Sequence, residues 1–380
     1  MAKRLNAFED QQTKEKGLRP PEIDLEFHRK LADQSAGKGH WEDKLKEALE
    51  GPAQLTETEF YAYELYKPEV SAKDIAAYIG KVRQKELYKV CNSPYWLAIS
   101  EDKALFELLL KGAGLSAAKT IAIFSQVQRW GFDQQLHSKE DLRDFLAKQS
   151  FPIFCKPIDG MMGIGAMKIA GFDGHKVSLS ENDTQEFQDF YHYITHLTTN
   201  GFVFQRCIDQ EQTVSELFGP DVCAVRFLVL NRSAPCIESA VLRSAGGGAA
   251  LDHRWQKGNI FAAINADTGE ITNAIMQSDG IAFESVENNP ATGSRLLGAI
   301  LPYWQEAVEL VLRAATLLPD VRTQSWDIAI SRSGPVALEF NWGGSVAMLQ
   351  FAHKRGILSS AFEVHLEACK HDPLYIHPVH

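Results

Sequence analysis

The chain has 380 residues, of which 45% are hydrophobic and 23% charged, with 39 Lys and Arg against 49 Asp and Glu. These are ordinary values for a globular protein, and the length allows two or three structural lobes around a large core. The net charge of −10 argues against a general nucleic-acid-binding protein, whose surface must neutralise phosphates. A local basic cleft for one small polyanion remains compatible with it.

Three further classes are disfavoured by the sequence. No run of about 18 apolar residues occurs, so no membrane-spanning helix is expected. The polar N-terminus, MAKRLNAFEDQQTKEKG, lacks the apolar centre of a signal peptide. The six cysteines are scattered and form no CxxC pair, so we expect neither a structural zinc site nor a disulfide framework. A cytoplasmic protein is the simplest interpretation.

The first quarter of the chain is predicted to be helical. Residues 1 to about 22 are expected to be frayed, and apolar residues then recur every three or four positions to about residue 110, as in 41–49 and 74–79. Thr56 and Glu59 fit a capping box. Because no β-α-β alternation is visible, this segment is interpreted as a helical cap, the first of three predicted domains (1–95, 96–200 and 201–380).

The remaining chain mixes strands and helices. Strands are predicted at 119–124, 151–156, 166–169, 202–205 and 224–230, and helices at 139–147 (capped by Ser138), 184–197, 302–318 and 360–369. Residues 325–331 and 335–341 are predicted to form a hairpin that turns at 332–334.

A lysine and a glycine-rich loop form the first candidate site. Lys156 leaves a predicted strand just before Gly160, Gly163 and Gly165. Such a loop can bring backbone N–H groups close to phosphate oxygens, and the lysine adds positive charge. The lysine precedes the glycines, so this is not a GxxxxGK[ST] loop. A glycine-rich hairpin with a surface lysine is the alternative.

Two carboxylates and an amide form the second candidate site. Glu339 and Asn341 are two residues apart on a predicted strand, so their side chains leave the same face, and Asp327 on the paired strand can point there too. These hard oxygen ligands suit Mg²⁺ held together with phosphates. The alternative is a solvated outer face of an antiparallel sheet.

Two other patterns are compatible with a nucleotide site. Gln205 and the segment that follows it leave an apolar strand, where a backbone donor and acceptor can recognise adenine, unless this is an ordinary core strand. Arg226 and Arg243 are flanked by apolar residues, where an unpaired cation is costly. Their partner is either a buried carboxylate or a phosphate or substrate carboxylate.

The order of these motifs resembles the ATP-grasp superfamily. The detail is most similar to the group described as sugar-transfer associated ATP-grasp proteins, with relatives among α-glutamate ligase-like enzymes. The resemblance covers roughly residues 95–355, and the metal motif is its most specific part. The matching segments are 154–157, 267–269, 289–293, 326–329 and 334–341.

The resemblance implies an α+β fold, in which two α+β lobes grip ATP between antiparallel sheets, here with an added N-terminal helical segment. It assigns Lys103 and Lys156 to the nucleotide phosphates and Gly160 to Gly165 to a mobile loop that closes over them. It also implies that Gln205 contacts the adenine, that the backbone of Arg206, Cys207 and Ile208 forms the hinge, and that Gln210 contacts the ribose. Two Mg²⁺ ions would be bound by Asp327, Glu339 and Asn341. The γ-phosphate and the acyl phosphate would be contacted by Arg226 and Arg243.

The activity implied is an ATP-dependent carboxylate–amine ligase that forms an amide or peptide bond through an acyl phosphate and releases ADP and phosphate. An amino acid or related small carboxylate, a small amine and a biosynthetic role are expected, with no nucleic-acid or membrane partner and with a homodimer as a reasonable assembly. A phosphotransferase acting on a hydroxyl and a non-catalytic nucleotide-binding protein are the alternatives. The segment 252–259 departs from the group's pattern at His253 and Asn259, and the N-terminal helices replace the α/β domain of D-alanine–D-alanine ligases.

Overall fold

The computed structural model of the protein describes residues 24–160, 163–180, 182–198, 200–244, 257–278 and 281–372. Its helices are α1 (Leu25–Ala36), α2 (Glu42–Glu50), α3 (Glu57–Ala62), α4 (Ala72–Ala76), α5 (Lys81–Cys91), a 3-10 turn (Pro94–Trp96), α6 (Leu97–Glu101), α7 (Lys103–Gly112), α8 (Lys139–Ala147), α9 (Phe187–Leu197), α10 (Gln212–Phe218), α11 (Trp304–Ala315), α12 (Ala347–His353) and α13 (Ser360–His371).

The strands lie between these helices. They are β1 (Thr120–Phe124), β2 (Gln135–Leu136), β3 (Ile153–Pro157), β4 (Met167–Ile169), β5 (Gly171–Phe172), β6 (Lys176–Ser178), β7 (Thr184–Glu186), β8 (Phe202–Arg206), β9 (Ala224–Asn231), β10 (Pro235–Ser244), β11 (Ile260–Ile264), β12 (Ile271–Gln277), β13 (Phe283–Ser285), β14 (Thr323–Ser331) and β15 (Gly334–Asn341).

A five-stranded sheet organises the first lobe. Its order is β2-β1-β8-β3-β4, and its pairs are antiparallel except for β1 with β2. Helices α8 and α9 bury Phe145, Phe187 and Phe190 against it. The helix predicted at 184–197 begins three residues later, because Thr184–Glu186 pairs with β6 in a small three-stranded sheet.

A seven-stranded antiparallel sheet organises the second lobe, in the order β13-β12-β11-β10-β9-β14-β15. Both of its faces are covered, as the alternation along β9 shows. Phe227 joins one core with Trp304 of α11, whereas Leu228 joins a second core with helical residues such as Phe60 and Met348. The N-terminal helices therefore pack on one face of this sheet, as a cap on the second lobe.

The predicted helical segment is confirmed within the residues that the structure describes. Thr56 and Glu59 form the expected capping box at the start of α3. The helix expected at 74–79 is shorter, because α4 ends at Ala76 and the Ile79 N–H donates to Gln350 Oε1 at 2.8 Å. A tertiary contact thus replaces the last helical turn. No helix in the described part of the chain is long and apolar enough to cross a membrane.

The predicted domain boundaries need correction. Strand β8 follows the predicted boundary at residue 200, yet it lies between β1 and β3 in the first sheet. Helix α7, placed in the first lobe by the prediction, buries Phe106 and Leu110 in the core of the seven-stranded sheet. The first lobe therefore extends from about residue 117 to Arg206.

The chain joins the two lobes at two neighbouring places. Before β1, the Ala118 N–H donates to Ala337 O of β15 at 3.0 Å. After β8, the Arg332 N–H donates to Asp209 O at 2.9 Å and the Glu211 N–H donates to Ile330 O at 3.0 Å. These contacts bring the end of β3 and the loop after it close to β14 and β15.

Candidate functional site

A row of charged residues crosses the seven-stranded sheet. In register, Arg226 of β9 lies opposite Asp327 of β14, which lies opposite Glu339 of β15. Residues directly opposite each other on an antiparallel sheet point to the same face, with Cβ atoms about 4.5–5.5 Å apart. The predicted convergence of Asp327 and Glu339 on one face therefore has its structural basis in the hairpin register.

Both predicted arginines bind Asp327. Arg226 Nε and Nη2 donate to Oδ1 and Oδ2 at 2.7 Å each, and Arg243 Nη2 donates to Oδ2 at 2.9 Å. Burial alone would raise the pKa of Asp327, but the two guanidinium charges and the Arg226 hydrogen bonds outweigh it and hold this pKa below its usual value. A buried carboxylate, one of the alternatives left open by the sequence, is thus a partner of both cations within the protein.

The carboxylates and amide on this face fit a hard cation. A carboxylate offers about four lone-pair positions, and the three arginine bonds to Asp327 leave capacity on Oδ1. Glu339 is half-buried directly opposite, which would be unfavourable for two like charges without a cation between them. Within the part of the chain that the structure describes, Nδ2 of Asn341 is buried without a hydrogen-bond partner. This donor set suits Mg²⁺ together with a polar ligand.

Lys156 reaches this row from the opposite sheet. A β-bulge at Leu338, between the pairs Asp327–Glu339 and Ile328–Ala337, turns its carbonyl oxygen out of the ladder. Lys156 Nζ donates to that oxygen at 3.5 Å. Burial lowers the pKa of Lys156 to about 8, although Glu339 opposes this effect. Lys156 therefore lies between the two lobes, where the Leu338 carbonyl and the Glu339 charge compensate its positive charge only in part.

Lys103 anchors the glycine-rich loop. It begins α7, whose N-terminus is capped by Asp102, and its Nζ donates to the carbonyl oxygen of Gly160. A Cβ at Gly165 would lie 2.3 Å from Leu197 Cδ2, and both Gly163 and Gly165 have positive φ angles. These two positions require glycine for their backbone conformation. Residues 161 and 162 lie outside the described residues.

Gln205 lies in the core of the first sheet, next to the connection between the lobes. Its Nε2 donates to Ala118 O at 3.2 Å and to Thr120 Oγ1 at 3.3 Å, which fixes the orientation of the amide. Oε1 is then the atom suited to accept a ligand amino group. Arg206 is exposed at the end of β8, and Cys207 and Ile208 are half-buried in the connection to the second lobe.

Gln210, the predicted ribose contact, forms hydrogen bonds within the protein. Its Nε2 donates to Gly219 O at 2.9 Å, and its Oε1 accepts from the Cys223 N–H at 2.6 Å. The side chain is buried and ties together the two ends of the α10 segment. Both polar atoms are used inside the protein, so these contacts favour a structural role over contact with a ribose.

Two residues near the site were missed by the sequence analysis. Tyr88 of α5 donates its hydroxyl to Gly344 O, and burial raises the pKa of this phenol although the nearby Arg226 charge opposes the rise. Glu107 of α7 accepts from the Thr120 N–H at 2.9 Å, while its Oε2 is buried without a partner among the described residues. Glu107 could have been noticed as a charge inside the apolar run LFELLL, whereas Tyr88 had no local signal.

The structure brings most of the predicted residues together where the two lobes meet. From the second lobe come the charged row, Arg243 and Asn341; from the first come Lys156 and the loop that Lys103 holds. Gln205 and the 206–208 connection lie where the lobes join, and Gln210 is tied to α10. The divergent segment 252–259 lies mostly outside the described residues, although Asn259 at its end is buried.

Comparisons with solved structures find distant similarity. VanG D-Ala:D-Ser ligase from Enterococcus faecalis matches at 13% identity and a TM-score of 0.44, over 78% of this chain and 66% of that one. D-alanine–D-alanine ligase from Bacillus anthracis matches at 12% and 0.43, over 76% and 77%. Biotin carboxylase from Campylobacter jejuni matches at 10% and 0.44, over 76% of this chain and 50% of that one. The chain therefore spans less than two thirds of two of these proteins.

Comparison with protein families is more specific. No curated protein matches the chain. A family model described as sugar-transfer associated ATP-grasp matches residues 82–365, which is most of the chain and includes both sheets and the whole charged row. The chain belongs to the sugar-transfer associated ATP-grasp family.

Proposed function

We propose that the protein is an ATP-dependent ligase that joins a small carboxylate, such as an amino acid, to an amine through an acyl phosphate, with release of ADP and phosphate. The observation that carries this proposal is the row Arg226–Asp327–Glu339, faced by Lys156 from the other lobe. It combines anionic ligands for a metal with cations for a polyphosphate in one cleft.

The arginines and lysines address the main obstacle to this chemistry, the repulsion between a carboxylate and a triphosphate. Arg226 and Arg243 present guanidinium groups that are held in place by Asp327 and so need no reorganisation when charge develops. Lys156 adds charge from the first lobe, and Lys103 adds charge from the start of α7, where its Nζ contacts Gly160 of the glycine-rich loop. The phosphates would lie against this loop. Positioning and neutralisation suffice, and no covalent enzyme nucleophile is required.

A metal ion has a natural place on the same face. Asp327, Glu339 and Asn341 would hold Mg²⁺, which would supply Lewis-acid polarisation and charge neutralisation at the transferring phosphoryl group. The residues around this place position the ligands: the arginines fix the Asp327 carboxylate, and the bulge at Leu338 brings Glu339 opposite Asp327.

The first lobe would bind the rest of the nucleotide and shield the reaction. Gln205 Oε1 can accept from the adenine amino group, and the 206–208 backbone can pair with the base edge. Closure of the loop from Gly160 to Gly165 would exclude water, which otherwise hydrolyses an acyl phosphate. The N-terminal helices border the site through Tyr88, so they can contribute to the wall of the substrate pocket.

Product analysis by ³¹P NMR tests the proposed reaction. The protein is incubated with Mg-ATP and a pool of amino acids, other carboxylates and amines. We expect ADP and phosphate whose formation depends on the pool, and splitting the pool then identifies the substrates. AMP and pyrophosphate would exclude an acyl phosphate, and a new phosphate ester beside ADP would instead identify a phosphotransferase.

The substitution Glu339→Gln tests the metal assignment. It keeps the size of the side chain but removes a charge that the proposed metal requires, so we expect a loss of at least about 100-fold in turnover, as for other single electrostatic contributions to catalysis. The matched control is Glu309→Gln on the exposed side of α11, which should leave turnover unchanged. Full activity of Glu339→Gln would disprove the assignment.

A further inference from the structure

Three potential metal ligands converge away from the charged row. Cys91 ends α5, and His365 and Cys369 lie four residues apart on one face of α13. Their ligand atoms all lie within 4.8 Å of one another, and all three residues are buried. The absence of a CxxC pair predicted no zinc site, but Cys91 is separated from His365 and Cys369 by most of the chain.

The distances in this cluster suit a tetrahedral ion. Cys369 Sγ lies 3.6 Å from His365 Nε2. A tetrahedral zinc ion, with Zn–S of about 2.3 Å and Zn–N of about 2.0–2.1 Å, separates its sulfur and nitrogen ligands by about 3.6 Å. Thr323 Oγ1 lies 3.2 Å from the same Nε2 atom. The histidine nitrogen therefore faces the centre of the cluster, and the threonine hydroxyl adjoins its fourth corner.

A buried arginine holds the two cysteines in place. Arg322 Nε donates to Cys91 O at 3.0 Å, and its Nη2 donates to Cys369 O at 3.3 Å. Arg322 is 5% exposed, so this anchor lies inside the protein beside the cluster. Two thiolates would balance the charge of a divalent ion, which makes the centre compatible with burial.

We propose that Cys91, His365 and Cys369 form a closed, structural Zn²⁺ site, with Thr323 beside the fourth position. Sulfur and imidazole ligands select zinc over the hard cations that suit the charged row. Binding would displace the thiol protons and join α5, α13 and the beginning of β14. Thr323 and Asp327 lie on the same face of β14, about 13 Å apart at about 3.3 Å per residue. The ion would thus fasten the helical cap to the strand that carries Asp327.

Metal analysis of the untagged full-length chain tests this site. We expect about one zinc per chain by mass spectrometry, and zinc X-ray absorption should give two sulfur ligands at about 2.3 Å and at least one nitrogen or oxygen ligand. Cys91→Ser and Cys369→Ser should each weaken zinc binding at least about 100-fold, the upper end of what outer-shell changes cause. The matched control is Cys155→Ala, which removes a buried thiol outside the cluster and should leave zinc bound.

A second measurement does not depend on the folding of the variants. Removing zinc from the wild-type protein with a chelator should lower Tm by several degrees and expose two additional reactive thiols; Zn²⁺, and not Mg²⁺, should restore both. Absence of zinc, copper(I) as the sole bound metal, a Cys91–Cys369 disulfide in the purified protein, or a Tm unaffected by the chelator would each overturn the proposal. None of these outcomes bears on the ligase proposal, which the ³¹P experiment tests separately.

Discussion

The two sheets hold their charged residues in different ways. In the seven-stranded sheet, Asp327 is 3% exposed and accepts three hydrogen bonds from two arginines that neighbouring strands position. In the five-stranded lobe and at its border, Lys156 and Lys103 each contact one backbone carbonyl oxygen among the residues that the structure describes. The first group is an internally compensated network, whereas the lysines are cations whose compensation is incomplete.

Because of this difference, we expect the arginine–aspartate network to contribute mainly to stability and the lysines mainly to ligand binding. Breaking a buried ion pair leaves an uncompensated charge, so the arginine–aspartate network is coupled to the folded state of the second lobe. A lysine whose pKa is lowered by burial is instead destabilising in its charged form. We infer that the second lobe presents a rigid charged surface, and that the lysines become fully compensated only when an anion binds between the lobes.

The largest expected effect comes from Asp327→Asn. The substitution keeps the shape of the side chain but removes the buried negative charge that Arg226 and Arg243 bind, so we expect a loss of about 3–5 kcal/mol in the free energy of unfolding. Urea unfolding measures it. Lys156→Met is the contrasting variant, because it replaces a partly buried, desolvated cation by an apolar chain of similar length. It should leave stability unchanged or raise it while weakening ATP binding.

Equal stability losses in these two variants would contradict the comparison, since both groups would then be part of one structural network. A Lys156→Met protein with unchanged ATP affinity would also contradict the comparison, because the Lys156 charge would then have no role in binding the nucleotide. Arg226→Met serves as the check on Asp327→Asn, since removing either member should destabilise the same lobe.

A smaller effect is expected from Gly165→Ala in the loop of the first lobe. Left-handed backbone costs a residue with a Cβ about 1–2 kcal/mol, and the new Cβ would also meet Leu197 and Pro157 at 2.3 and 2.8 Å. Gly174→Ala is the matched control, with φ of +96° but open space around the Cβ. We expect the destabilisation of Gly165→Ala to exceed that of Gly174→Ala by about 1–3 kcal/mol, the cost of overpacking. Equal losses in urea unfolding would show that the loop adapts freely.

Patterns within one strand or one hairpin predicted part of the candidate site. The alternation along β15 placed Glu339 and Asn341 on one face. The hairpin was also predicted, but its turn is shorter than the predicted 332–334, because Gly334 already pairs with Ser331. The bulge at Leu338 then shifts the register and brings Asp327 opposite Glu339. Arg226 and Asp327 are 101 residues apart in the chain, so their pairing cannot be recognised from a local pattern. The sequence therefore left a carboxylate and a phosphate as alternative partners of the arginine.

Other features had no local signal at all. The place of β8 between β1 and β3 and the bulge at Leu338 depend on pairing with distant strands. The ribose contact of Gln210 was implied by the family resemblance, and its hydrogen bonds with Gly219 and Cys223 could not be foreseen from the residues around it. The cluster of Cys91, His365 and Cys369 was missed for the same reason, because spacing rules for zinc sites detect only ligands that are close in sequence.

The smallest expected effect is a pH dependence that sharpens the distinction between the lobes. In the free protein the pKa of Lys156 is lowered to about 8, so its charge is present below this pH and is lost above it. Binding of ATP favours the charged form, and the affinity should therefore be constant between about pH 7 and the pKa and then weaken by at most about tenfold per pH unit. Calorimetric titration with Mg-ATP measures this affinity between about pH 7 and about pH 9.5, a range that lies above the phosphate pKa of about 6. Lys156→Arg keeps its charge throughout this range, so it should lose the dependence. An unchanged pH profile in that variant would assign the titration to a group other than Lys156.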